Sequence, residues 1–228
     1  MASIEKSIGK KNFIENPYQW GETENALTIW TNILQDGNKV EEYFLERDFT
    51  YCEKFDGTNV GKDMRGLIYS RCLVLGMHEK EFINTSLKCM HKTYINSFHK
   101  YLMEELDGNH GEDILNIIVI GELMCNPQLH EYETRGLAGR WLVFGVILEV
   151  KEESKLNIIE KCKDCGFLVR GRDKVDKIKL CLNKKLAEVF DELRFDCNPK
   201  IVKTGTIYEI VKENSERLIK GEIEGLIV

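Results

Sequence analysis

The string Glu53-Lys54-Phe55-Asp56-Gly57-Thr58-Asn59 holds the residues best suited to covalent chemistry in this chain. An ordinary lysine titrates near 10.4 and is protonated at neutral pH. It attacks phosphorus only when desolvation, neighbouring cations or a metal-assisted step frees its lone pair. Asp56-Gly57 is a tight-turn signal, and a lysine ending a strand just ahead of such a turn is aimed into a cleft rather than left to swing. Gly57 also lets backbone approach a bound molecule closely. Taken alone, the same string describes a surface lysine before a hairpin turn, so the case for chemistry rests on residues further along.

Metal chemistry has less support. Only Cys162-Lys163-Asp164-Cys165 has ligand spacing, and a zinc site takes about four ligands where this pair supplies two. The eight cysteines of a chain without an export signal read as reduced thiols, and Cys162 and Cys165 as ordinary surface or half-buried ones.

Size and composition bound the rest. The 228 residues, 43% of them hydrophobic, suffice for one domain with a sizeable core, expected over 1–228. A net charge of −6 argues against a protein that grips nucleic acid with its whole surface. Between Lys161 and Lys185, however, nine Lys or Arg stand against three Asp, a local balance of +6. Such a run is either a solvated basic face or a local track for a polyanion. No apolar run is long enough to span a bilayer, and Met1 to Lys6 has no apolar signal core. The expectation is an intracellular, membrane-free monomer, cytoplasmic or nuclear.

The elements that must position Lys54 follow from periodicity. Phe49 to Lys54 and Leu67 to Arg71 read as strands, as do the apolar runs Ile114 to Ile120 and Trp141 to Val150. Thr23 to Gln35 and Glu81 to Leu106 have helical spacing, the latter stopped by Asp107-Gly108-Asn109. Ile178 to Leu193 reads as an amphipathic helix, a helical stretch follows Tyr208, and the chain ends on a strand after Glu224. Strands and helices mix without a strict βαβ rhythm, so the class is α+β.

The pattern Lys-x-Asp-Gly-x-Asn resembles the nucleophile motif of the covalent nucleotidyltransferases, the superfamily of polynucleotide ligases and mRNA capping enzymes. Further strings resemble the superfamily's other motifs in the right order. Arg71, 17 residues after the lysine, matches an arginine on the following strand, with Arg65 as a rival. Ile120-Gly121-Glu122 matches the strand whose glutamate meets ribose hydroxyls. Trp141-Leu142-Val143-Phe144 matches the strand whose ring, here Phe144, stacks on the purine. Glu224-Gly225-Leu226 matches the motif of a metal-linked carboxylate, Glu224.

Each position suits its role chemically. A carboxylate accepts two hydroxyl donors, an aromatic face is worth about 1–3 kcal/mol per stacked base, and a guanidinium fork fits phosphate. A hard divalent cation prefers carboxylate oxygen. The plain alternatives are a salt-bridged Glu122, a core Phe144 and a surface Glu224.

The resemblance covers about residue 50 to the end. It implies an ATP-grasp-like fold of antiparallel sheets flanked by helices, with a nucleotide cleft between them. Asn59 stands where DNA ligases and capping enzymes have arginine, which moves the resemblance toward ATP-dependent RNA ligases of the bacteriophage T4 RNA ligase 2 type. That implies ATP and Mg2+ or Mn2+, AMP carried on Lys54, and RNA ends bearing a 3′-hydroxyl and a 5′-phosphate as partners. Glu53, Asp56, Gly57, Asn59, Arg71, Glu122, Phe144 and Glu224 are its nucleotide-binding candidates. The Lys161–Lys185 stretch becomes a candidate contact for the RNA backbone.

Two departures stand out. Gly145 follows Phe144 where the family has a carboxylate, with Glu149 further along, and the chain ends before the family's Lys-x-Lys motif. The expectation is therefore a domain cut just short of that motif. The alternatives are a DNA ligase or capping guanylyltransferase, a non-catalytic nucleotide- or RNA-binding relic, and a plain interaction domain.

Overall fold

A computed structural model describes residues 14–20, 48–55, 57–72, 74–76, 92–106, 113–124, 135–170, 177–195, 203–220, 222 and 225–227. The helix expected over 23–35, and Asp56 and Glu224 themselves, lie outside the described residues.

Two antiparallel sheets organise the chain. The first, in order β10-β1-β9, joins Gly225–Ile227, Phe49–Lys54 and Lys203–Gly205. The second has seven strands in the order β4-β3-β2-β5-β6-β8-β7. These are Val74–Gly76, Ile68–Ser70, Thr58–Asp63, Ile114–Leu123, Trp141–Val150, Lys177–Cys181 and Leu168–Arg170. Helices α1 (Lys92–Glu105), α2 (Lys155–Asp164), α3 (Lys184–Glu192) and α4 (Ile207–Ile219), with a short 3-10 turn at Glu152–Ser154 ahead of α2, complete the described elements. The α+β class holds.

The central strands β5 and β6 are apolar on both faces because both faces are covered. On one face Val119, Leu123, Val143 and Val146 pack with Phe98 and Leu102 of α1, Ile158 of α2 and Phe190 of α3. On the other, Ile118, Ile120 and Ile147 pack with Tyr69 and with Tyr18 of the segment 14–20, which crosses the sheet as a strap. Burying a strand on both sides yields the continuous apolar runs seen at 114–120 and 141–150 rather than strict alternation.

Three expectations need correction. Ile178 to Leu193 is not one helix: Lys177–Cys181 is a strand paired with β6, and α3 begins after Asn183, whose side chain caps it by accepting from Leu186 N at 3.0 Å. The alternation Lys-Ile-Lys-Leu marks the strand, and asparagine is a preferred N-cap. Cys162 is neither exposed nor half-buried; it is fully enclosed in the core, and burial pushes its thiol up to about 12. The described lysines of the basic run do not share one face; Arg172 and Lys174 lie outside the described residues. Lys161 and Lys163 ride on α2, which covers one face of the sheet. Lys177 and Lys179 donate to the backbone carbonyls of Pro17 and Trp20 in the strap on the other.

Candidate functional site

Lys54 is the last residue of β1 and pairs with Gly225 of β10. It is half-buried. After Lys54 the chain passes from the three-stranded sheet into β2 of the seven-stranded one, which starts at Thr58. The turn closes tightly on β5. A Cβ at Gly57 would stand 2.8 Å from the carbonyl oxygen of Leu123, 3.0 Å from Glu122 Cγ and 3.1 Å from Met124 Sδ. Glycine is therefore required by close approach, and the turn after the lysine abuts the glutamate picked out by sequence.

The remaining candidates converge by register. Asn59 on β2 lies opposite Glu122 on β5, and residues directly opposite share a face. Ile118, Ile120 and Glu122 alternate onto that face. On β6 the pairing jumps from Val143 opposite Gly121 to Gly145 opposite Ile120, so Phe144 is the extra residue of a β-bulge. Its half-buried ring joins the cluster of Ile118, Ile120 and Ile147. Bulges re-aim a side chain, and this one aims an aromatic ring onto the face bearing Asn59 and Glu122.

Gly121 has its own steric reason. Trp141 crosses it to donate its indole N–H to Val60 O at 3.1 Å, and a Cβ at Gly121 would meet Trp141 Nε1 at 2.5 Å. The Gly-Glu pair thus couples a flat crossing point to a carboxylate on the opposite face.

The two arginines separate cleanly. Ser70 pairs with Val60, so Arg71 follows at the level of Asn59, exposed at the end of β3. Arg65 belongs to the far end of β2, where it holds the buried Asp63 at 2.9 Å. Asp63 lies opposite Ile118, four residues or roughly 13 Å along the strand from Asn59. Asp63 also accepts from Leu67 N, Tyr69 Oη and Asn116 Nδ2, and Tyr18 donates to Glu149 at 2.7 Å. That network fastens turn and strap at the end of the sheet away from Glu122. Glu149 is committed to it.

Glu53 acquires a role that its place in the motif did not suggest. Its side chain is 1% exposed, and it takes Arg135 Nη1 at 2.6 Å on one oxygen and Arg217 Nη2 at 3.4 Å on the other. Arg135 comes from the turn before β6 and also lies 5.8 Å from the centroid of the Phe55 ring. Arg217 comes from α4. A buried carboxylate needs such partners, since an unpaired one is costly to desolvate. Phe55 meanwhile packs with Met124, Leu137 and Leu142. Glu53 and Phe55 flank Lys54, so this ion pair and apolar cluster clamp the lysine-bearing strand onto the sheet that carries Glu122 and Phe144.

Arg135, Arg217 and Trp20 are the residues that sequence reasoning missed. For Trp20 a signal existed. A lone glycine inside an apolar strand marks a bulge or a close approach, and Gly145 is both: a Cβ there would stand 2.2 Å from the Trp20 ring. The arginines carried no local signal.

Lys54, Gly57, Asn59, Glu122 and Phe144 thus meet around one end of β2 and β5, with Arg71 at its margin. The group offers an amine, a carboxamide, a carboxylate and an aromatic ring, a set able to hold a base and sugar beside a nucleophile. Among the described residues, no three His, Cys, Asp or Glu side chains converge as a metal site. A separate shallow cleft, lined by Tyr51, Lys203, Glu209, Lys212 and Glu213, contains none of these residues. Among the described residues, no helix is long and apolar enough to cross a membrane. No protein-family model matches the chain, and a search of curated proteins finds no relative.

Proposed function

We propose that this chain is the adenylyl-transfer domain of an ATP-dependent RNA ligase with Lys54 as its nucleophile. The observation that carries this reading is the convergence of Asn59, Glu122 and Phe144 on one face of the seven-stranded sheet, beside the turn that follows Lys54. Lys54 Nζ attacks the α-phosphorus of ATP, forming an N–P bond as the bond to pyrophosphate breaks. An oxygen of an RNA 5′-phosphate then attacks the adenylate, and the lysine leaves. Finally the 3′-hydroxyl of a second RNA end attacks that phosphate, loses its proton and expels AMP.

Phe144 stacks on the adenine, Glu122 accepts from the ribose hydroxyls, Asn59 hydrogen-bonds ribose and phosphate, and Arg71 meets phosphate from the margin. Most of the acceleration comes from positioning and charge neutralisation, as is general in phosphoryl chemistry. A divalent cation fits a site with few protein donors, because Mg2+ is commonly held by one or two carboxylates plus phosphate oxygens. The resemblance assigns this role to Glu224, beside Gly225 in sequence. When bound, the cation neutralises triphosphate charge.

The test is incubation with ATP or GTP labelled at the α-phosphate, with Mg2+, followed by denaturation and mass spectrometry of the Lys54 peptide. One AMP on that peptide, lost in Lys54→Ala, supports the ligase reading. Label from GTP alone sinks it. Gly145 favours a second reading, a nucleotide-binding domain without turnover. That reading predicts that ATP raises the melting temperature while no adduct forms, even in a chain extended past Val228.

A further inference from the structure

Trp20, in the strap over residues 14–20, lies against the candidate base site. We propose that Trp20, which the nucleophile and its partners leave unassigned, is a specificity-determining residue that fixes the Phe144 ring for a purine base. The inference rests on the nucleotide reading of the site and deepens it.

Three observations carry it. Trp20 meets Phe144 edge-to-face, with ring centroids 5.5 Å apart and planes at 77°, a geometry favoured by the aromatic quadrupole. Its six-membered ring fills the space over Gly145, where an added Cβ would meet Cη2 at 2.2 Å, Cζ3 at 2.7 Å and Cζ2 at 2.8 Å. The glycine that breaks an otherwise bulky strand therefore accommodates the indole. Finally, the strap is anchored along its length. Asn16 N donates to Cys72 O, Asn16 Nδ2 to Ser70 O and Tyr18 Oη to Glu149, while Lys177 Nζ donates to Pro17 O and Lys179 Nζ to Trp20 O. The last contact, at 3.0 Å, holds the backbone of Trp20 itself.

Phe144 sits at a bulge, where regular pairing does not hold the backbone. Its ring orientation is set by what it packs against, and on this side that is Trp20. A stacking platform whose angle is held in advance spares the cost of ordering the ring on binding, and so gains affinity for any stacked base. The indole also bounds the space beside the ring, which makes it a wall for the edge of the base.

The experiment measures ATP and GTP affinity for the protein and for Trp20→Ala, Trp20→Phe, Phe144→Ala and Trp20→Ala/Phe144→Ala. Trp20→Ala is expected to weaken ATP about 3- to 10-fold, the scale of one aromatic pair, and to narrow the ATP-to-GTP preference. Trp20→Phe is expected to recover most of both, and the double variant to bind no worse than Phe144→Ala. Gly145→Ala, destabilising alone and tolerated in the Trp20→Ala background, checks that the variants fold and that the two residues share the space. An unchanged ATP-to-GTP ratio in Trp20→Ala, with Phe144→Ala still impaired, overturns this proposal and leaves the nucleotide reading intact. Failure of the unmutated protein to bind either nucleotide overturns both.

Discussion

Replacing Arg135 by alanine tests the clamp beside Lys54. The Glu53 side chain is only 1% exposed, and the contact removed is the shorter of its two, 2.6 Å against 3.4 Å for Arg217. Stripping one partner from a fully buried ion pair costs about 3–5 kcal/mol, chiefly through the charge left behind. Two features lower that figure here: Arg135 is itself 25% exposed, and Arg217 still reaches the other oxygen. A loss of about 2–3 kcal/mol is therefore expected. At about 2–4 °C per kcal/mol for a chain of this length, the melting temperature falls by roughly 4–12 °C. Arg217→Ala should cost less, about 1 kcal/mol, since that arginine is 35% exposed and shared with Glu222 at 4.0 Å. Urea denaturation followed by circular dichroism, on Arg135→Ala, Glu53→Ala and the double variant, isolates the pair. The double variant should be less destabilised than the sum of the singles by more than about 1 kcal/mol. Under the proposed function, Arg135→Ala also slows labelling of Lys54 more than it weakens ATP binding, because the clamp aligns the lysine without touching the base. Additivity within about 0.5 kcal/mol would refute the idea that Arg135 and Glu53 act as a unit.

Three further outcomes follow from the packing. Gly57→Ala places a Cβ against Leu123 O and Glu122; a cost of about 1–3 kcal/mol is expected, with ATP affinity reduced as Glu122 is displaced, read by thermal melts with and without ATP. Cys72 is exposed whereas Cys162 is enclosed with its thiol pushed up to about 12. Maleimide labelling with peptide mapping at pH 8 should therefore modify Cys72 within minutes and Cys162 only after unfolding. His99 on α1 is pulled below the ordinary imidazole value by burial, and its Nε2 is buried without a hydrogen-bond partner among the described residues. The unfolded chain then takes up that proton first, so stability is lost as pH falls below about 6.5, by at most about 1.4 kcal/mol per pH unit. His99→Gln should remove that component, visible as a smaller loss of urea midpoint between pH 7 and 5.5.

Much of the scaffold was legible from local pattern. Phe49–Lys54 and Trp141–Val150 are strands with the bounds read from sequence, and Ile114–Ile120 lies within β5, because apolar runs bounded by turn residues report burial directly. Ile178 to Leu193, read as a single helix, shows the limit of periodicity. A strand and a helix in tandem share enough apolar spacing to look like one helix, and Asn183 was the break.

The candidate site could be proposed from residue types and order, but its assembly could not. Sequence alone singled out Lys54, Asn59, Arg71, Glu122 and Phe144, with Arg65 as a rival to Arg71. Pairing register separated the arginines, placing Arg71 level with Asn59 and Arg65 at the opposite end of β2. Glu53, read as a nucleotide contact, turned out to hold Arg135 and Arg217, which lie 82 and 164 residues away. Trp20 comes to rest on Gly145 across a similar span, and two lysines of the basic run are tied to strap carbonyls about 160 residues distant. Turns, strands and caps depend on interactions within a few residues, so composition and spacing encode them. Ion pairs and ring contacts between distant segments leave no periodic trace, and the fold alone decides which arginine meets which carboxylate.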